Sequence, residues 1–89
     1  MKIETKYDVD DKVWKVEKSY SENKYYAKSS TIWMLKINVY EKGKAEIGYD
    51  LPYYYGRCFY DNELFATEAE CQAECDRLND ILEREKRGE

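Results

Sequence analysis

Apolar residues recur at two spacings along this chain, and the switch between them divides it. Up to residue 66 the dominant period is two. Thr31-Ile-Trp-Met-Leu-Lys-Ile-Asn-Val-Tyr40 carries Trp33, Leu35, Ile37 and Val39 on one side and Lys36 and Asn38 on the other. That alternation predicts a half-buried strand. Glu41-Lys-Gly-Lys44 supplies a turn, with Gly43 free to take a positive φ. Ala45, Ile47 and Tyr49 continue the apolar face on the returning strand, while Glu46 and Asp50 face out. Trp33 and Tyr49 are therefore expected in the core. Val13 to Lys18 predicts a first strand, preceded by a turn at Asp8, Asp10 and Asp11, whose side chains suit local backbone bonding. Ser19 to Asn23 reads as a connection and Tyr25 to Lys28 as a short second strand, with Trp14 expected to help fill the interior. Pro52 marks an edge or break. Arg57 to Tyr60 reads as a further short strand, Asp61-Asn-Glu63 as a turn, and Leu64-Phe65 as a last short strand.

From residue 67 the period changes to that of a helix. Thr67 is placed to cap, and Glu70 stands three residues on, where its carboxylate can reach the Thr67 amide. Cys71, Cys75, Leu78 and Leu82 step by four, three and four, with Ile81 beside them, and define one apolar stripe over a helix from about Glu68 to about Lys86. Glu68, Glu70 and Glu74 crowd its start and Arg84, Lys86 and Arg87 its end, as the helix dipole favours. Asp80–Arg84 and Glu83–Arg87 are spaced as supporting ion pairs. The sequence thus predicts one α+β domain over residues 1–89. Residues 1–66 form a small, strongly bent antiparallel sheet or SH3-like barrel of four to six strands, and 67–87 form a C-terminal helix.

Composition narrows the function. Hydrophobic residues at 43% and charged residues at 38% fit a folded, soluble domain. No apolar run approaches the ~20 residues of a membrane helix. No signal-like stretch follows Met1-Lys-Ile-Glu-Thr-Lys6, so nothing suggests export and a cytoplasmic protein is expected. The net charge is −4. Residues 1–66 are balanced, so the whole acidic excess lies on the helical tail. Arg57 is the one Arg before the helix, and direct nucleic-acid binding is not expected.

Catalysis and metal binding find little support. The chain has no His and three Cys, Cys58, Cys71 and Cys75. A zinc site would need a carboxylate as fourth ligand. Cys71 and Cys75 are better read as small core residues on their stripe. Without His, the usual base for a Ser or Cys nucleophile is missing. The Asp and Glu residues read as solvated charge. No metal, cofactor or catalytic residue is assigned.

Ten Tyr and two Trp in 89 residues change this picture. Tyr25, Tyr26, Tyr53, Tyr54, Tyr55 and Tyr60 are too many to bury together in a domain this small. Exposed Tyr is enriched at interfaces, because it offers a large contact area and a hydroxyl at low entropic cost. Tyr53, Tyr54, Tyr55 and Tyr60 are candidate aromatic contacts to a partner, with Glu68, Glu70 and Glu74 as a charged component. An alternative is a nucleotide stacked on Tyr25 and Tyr26 and held by Lys24, Lys28 and Arg57. A third reading makes the Tyr face a homo-oligomer interface, in a structural or housekeeping module. The plainest reading is that strands favour Tyr.

Two stretches resemble a known group. Tyr7-x-Val9-x-Asp11-x-Val13-Trp14 resembles the opening Tyr-x-Val-Gly-Asp-x-Val of many small β-barrel proteins. Asp10 stands where Gly is usual, and Asp tolerates left-handed geometry. Phe65-x-Thr67-x-x-Glu70, followed by Cys71, resembles their Phe-x-Thr-x-x-Glu-Ala helix start. Together they are similar to short proteins encoded by Firmicutes phages and mobile elements. The resemblance implies a barrel-like fold and no catalytic residues. It also implies a non-enzymatic inhibitor of a host defence factor, of the anti-CRISPR or related kind. Such an inhibitor would act on a host protein or nucleoprotein complex by steric blocking or acidic mimicry.

Overall fold

The computed structural model describes residues 4–88. Five antiparallel strands form two separate sheets, and one helix follows. β1 (Lys12–Ser19) pairs with β2 (Lys24–Thr31) on one side and with the two-residue β5 (Leu64–Phe65) on the other. β3 (Met34–Glu41) and β4 (Lys44–Asp50) form a hairpin of their own, with Gly43 at φ 81° in its turn. α1 (Glu68–Gly88) packs on β1, β2 and β5. The fold is α+β, as the sequence predicts. The two sheets do not close into a barrel.

The run Thr31–Tyr40, expected as one strand, is divided between the sheets. Its backbone leaves the first sheet at Ile32, where the turn at 8–11 captures it. Asp10 N donates to Ile32 O at 2.7 Å, and Ile32 N donates to Asp11 O at 3.0 Å. Trp33 N then donates to Asp50 O at 3.1 Å and begins the hairpin. The turn itself is held as its Asp content predicts. Asp8 N donates to Asp11 Oδ2 and Val9 N to Asp8 Oδ1, both at 2.8 Å. Asp10 sits at φ 75°, in the geometry where Gly is usual.

The core lies between the sheets. Tyr7, Val13, Ile32, Tyr49, Leu51, Phe59 and Leu64 are buried together, with Leu35, Ile47 and Tyr54 packed against them. The ring of Tyr7 meets that of Tyr49 edge-on at 5.5 Å. Alternation along β1 sends Val13, Lys15 and Glu17 to this core side and Trp14, Val16 and Lys18 to the helix side. Trp14 is half-buried, and it faces the helix rather than filling a barrel. The segment expected as a strand at Arg57–Tyr60 makes a single bridge, between Phe59 and Tyr49.

The apolar face of the hairpin is covered at its base only. Tyr49 is fully buried and Leu35 and Ile47 are partly so, but Ile37 is 44% and Val39 54% exposed. Trp33, expected in the core, is 50% exposed. The outer half of the ribbon extends past the body of the protein, so alternation there has no core to point at.

The helix stripe is seated as expected for Cys71 and Cys75, both fully buried, with Leu78 and Leu82 half-buried. Ile81 lies off the stripe and is exposed. Thr67 caps α1, its Oγ1 accepting from Glu70 N at 3.2 Å. The return bond differs from the expected one, since Glu70 Oε1 accepts from the Thr67 hydroxyl at 2.9 Å rather than from its amide. Asp80–Arg84 and Glu83–Arg87 pair at 2.9 and 3.3 Å. Asn79 clips the free edge of β2: Tyr25 N donates to its Oδ1 at 2.7 Å, and its Nδ2 donates to Tyr25 O at 3.0 Å. An edge strand covered in this way is closed at that point to pairing with another chain.

Candidate interaction surface

The segment from Leu51 to Arg57 folds as two successive turns of one type. Tyr54 N donates to Leu51 O at 3.4 Å, and Arg57 N donates to Tyr54 O at 3.3 Å. Pro52 and Tyr53 occupy the centre of the first turn, Tyr55 and Gly56 the centre of the second. Tyr53 has φ 71° and Gly56 φ 77°, which makes both type II turns. Such a turn asks for Gly at its third position, because a Cβ there crowds the backbone. The second turn has its Gly. The first has Tyr53, which is 85% exposed and held in a geometry that costs about 1–2 kcal/mol.

Tyr54, between the two turns, points inward and is half-buried. Its ring meets Phe59 edge-on at 5.2 Å, and its hydroxyl donates to Glu17 Oε2 at 2.7 Å. Tyr54 is thus an anchor of the loop and not a free aromatic contact. Around it lies a polar group at the margin of the core. Lys15, only 5% exposed, donates from Nζ to Glu17 Oε2 at 2.8 Å and to Val16 O at 2.9 Å. Its Nζ also lies 4.9 Å from the centre of the Tyr54 ring and 5.5 Å from that of Phe59. Lys28 Nζ is 5.7 Å from the Tyr54 ring. Partial burial by itself raises the Glu17 pKa, but bonds from Lys15 and Tyr54 and the charges of Lys15 and Lys28 outweigh it, and the carboxyl is held below its ordinary range. Burial first, then the bond to Glu17, pushes the Tyr54 hydroxyl up. The neighbouring Tyr54 hydroxyl and Glu17 raise Lys28. Glu17 is therefore not the solvated charge expected of every acid in the chain. Nor is Asp50, which pairs with Lys36 at 3.3 Å and accepts from Cys58 Sγ at 3.3 Å. The burial of Lys15 is signalled in the sequence only by its place two residues after Val13 on an alternating strand.

With Tyr54 tied inward, Tyr53 and Tyr55 are left outside, at 85% and 78% exposure. Trp33 joins them, its ring 6.4 Å from that of Tyr55 at 71°. The alternation along Thr31–Tyr40 predicts a buried Trp33, so its place in this exposed group is a feature of the tertiary structure. Tyr60 is 39% exposed and lines a different hollow, with Lys36, Asn38, Glu46 and Cys58, on the polar side of the hairpin.

The charged component expected at Glu68, Glu70 and Glu74 starts the helix that packs on the first sheet, and Glu74 lines a hollow with Lys15, Arg57 and Phe59. Glu68 is exposed, Glu70 is engaged with Thr67, and Glu74 forms a two-bond pair with Arg77 at 2.6 and 2.7 Å. That pairing lowers the Glu74 pKa. The nucleotide candidates are dispersed. Tyr25 and Tyr26 alternate, so Tyr25 faces the helix side and Tyr26 the opposite side with Lys28, while Lys24 lines a hollow against Asn79, Leu82 and Glu83 of α1. Arg57 is committed to Glu63 at 2.8 Å and to the face of Phe59 at 4.3 Å.

The cysteines form two separate environments. Cys58 lies over Gly48, where an added Cβ would come within 3.1 Å of its Cβ and Sγ. Cys71 and Cys75 are sealed under the helix, and burial pushes the Cys71 thiol up to about 12 and raises Cys75 as well. Among the described residues no three His, Cys, Asp or Glu side chains converge as metal ligands. Among the described residues no helix is long and apolar enough to cross a membrane. Against known proteins, the chain matches no family model, no curated protein and no solved structure.

Proposed function

We propose that this is a non-enzymatic binding protein that grips a protein partner with Trp33, Tyr53 and Tyr55. The observation that carries the reading is Tyr53. A large, almost fully exposed aromatic ring occupies a backbone position that favours Gly. Nothing in its own packing repays that strain, whereas a contact made on binding would. The anchored Tyr54 fixes the loop beforehand, which lowers the entropic cost of association. At the level of biology, the resemblance of both chain ends to phage and mobile-element proteins supports an inhibitor of a host defence factor, anti-CRISPR or related. On this reading it blocks its target sterically, with the exposed acids of α1 as a secondary contact. The test is a side-by-side capture from lysate of a defended bacterial host, using the wild type and a Tyr53→Ala/Tyr55→Ala variant of equal stability. A stoichiometric partner held by the wild type alone supports the reading. Equal retention by both removes this surface from consideration.

One observation favours a second reading, self-association through the β3–β4 ribbon. Its outer half exposes Ile37 and Val39, and a two-stranded ribbon without a covering layer is marginal in water. Lys36, Lys42 and Lys44 balance Glu41, Glu46 and Asp50, so two ribbons would not repel. Light scattering that shows a dimer in the wild type and a monomer in Ile37→Thr/Val39→Thr would establish it.

A further inference from the structure

We infer that the group Trp33 and Tyr55 receive is an arginine side chain of the partner, seated against the turn at Asp8–Asp11. This rests on the aromatic-surface reading and names its chemistry.

The first observation concerns the chain's own cations. Lys6 lies over Tyr7 at 5.4 Å, Lys12 over Trp14 at 5.0 Å, Lys15 over Tyr54 at 4.9 Å, Lys18 over Tyr20 at 5.5 Å and Arg57 over Phe59 at 4.3 Å. Among the described residues, no cation lies over Trp33, Tyr53 or Tyr55. The indole is the strongest cation acceptor of the aromatic side chains. Trp33 is half exposed and meets Tyr55 at a steep angle, so the two rings form adjoining walls.

The second observation is the position of the acidic turn. The bonds from Asp10 N to Ile32 O and from Ile32 N to Asp11 O tie the turn to the residue just before Trp33. The carboxylates of Asp8 and Asp11 are occupied by backbone amides of the turn. Asp10 is exposed, and its carboxylate makes no bond to any described residue. Two exposed aromatic rings, one of them on the residue next to the backbone bonds that tie down a turn with an uncommitted carboxylate, match a guanidinium, which is planar, weakly hydrated and permanently charged. An ammonium stacks less well.

The test uses the full-length ¹⁵N-labelled protein and three short peptides, Ac-Gly-Xaa-Gly-Xaa-Gly-amide, with Xaa as Arg, Lys or the neutral isostere citrulline. The readout is the indole N–H resonance of Trp33, assigned with Trp33→Phe, against that of Trp14 as internal control. The expected result is a saturable shift of Trp33 with the Arg peptide, a weaker one with Lys and none with citrulline. Asp10→Asn, which keeps the left-handed backbone, should weaken the Arg peptide about two- to fivefold, the ratio given by about 0.5–1 kcal/mol. Equal shifts with citrulline and Arg would overturn the inference while leaving an aromatic binding surface in place. No shift with any peptide would also overturn it, and the Tyr53/Tyr55 capture comparison would then judge the binding reading separately. An unchanged affinity in Asp10→Asn would remove the acidic turn from the site and overturn the inference in the form given.

Discussion

Replacing Tyr53 with Gly should make the protein more stable and its interaction weaker. The magnitude follows from three terms. Releasing a non-Gly residue from φ 71° returns about 1–2 kcal/mol. The extra freedom of Gly in the unfolded chain costs about 0.5–1 kcal/mol. The lost ring contributes little, because a side chain 85% exposed is no more buried than in a compact unfolded ensemble. The net gain is about 0.5–1 kcal/mol, which for a domain of this size is roughly 2–8 °C in Tm. The twin turn gives the reciprocal experiment. Gly56 has φ 77° and nothing within 4 Å of an added Cβ, so Gly56→Ala isolates the backbone penalty and should lower Tm by a similar amount. Thermal unfolding followed by circular dichroism at one fixed protein concentration reads both. If Tyr53→Gly lowered Tm as Gly56→Ala does, the ring would be contributing native contacts and the strain argument would be wrong. Should it raise Tm without weakening partner capture, the strain would be real but unconnected with binding.

Asn79→Ala should cost about 1–3 kcal/mol in urea unfolding, because it strands the amide and carbonyl of Tyr25, and it should raise self-association by opening the β2 edge; an unchanged midpoint would show that water replaces the clip. Glu17 should give stability a pH dependence. Its folded pKa lies below the ordinary 4.5, so its contribution is present above that pH and is lost as pH falls through the lower folded value. The gap in urea midpoint between wild type and Glu17→Gln should therefore be open at pH 7 and close on acidification below 4.5, and a gap that persisted or widened in acid would contradict the assignment. A thiol reagent at pH 8 should label the partly exposed Cys58 in the native protein, slowly because burial and Asp50 raise its pKa, and Cys71 and Cys75 only at the rate of unfolding, since both are fully buried. Three thiols reacting at one native-state rate would refute that burial.

The order of elements was legible because each rests on near neighbours in the chain. Alternation located β3 and β4, Gly43 located the hairpin turn, and the spacing from Thr67 to Glu70 located the helix start. The Cys71–Cys75–Leu78–Leu82 stripe named the buried side of α1 for the same reason. The candidate site was legible only as a composition, a surplus of Tyr around residue 54. Which of those rings faces out depended on bonds across long stretches of chain. Tyr54 turns inward because Glu17, 37 residues away, accepts its hydroxyl bond. A two-residue period says that a strand has two faces, but not how far the body beneath it extends. Ile37 and Val39 therefore read as core and stand exposed, while Lys15, a charged side chain, is buried on the Val13 side of β1. Trp33 acquired its acidic neighbour only when Asp10 and Asp11 closed on Ile32 and split a continuous apolar run between two sheets. The sequence by itself determined where the chain turns and coils, through local backbone preference and periodicity. The tertiary structure alone decided which faces are covered, because coverage depends on what distant segments bring against them.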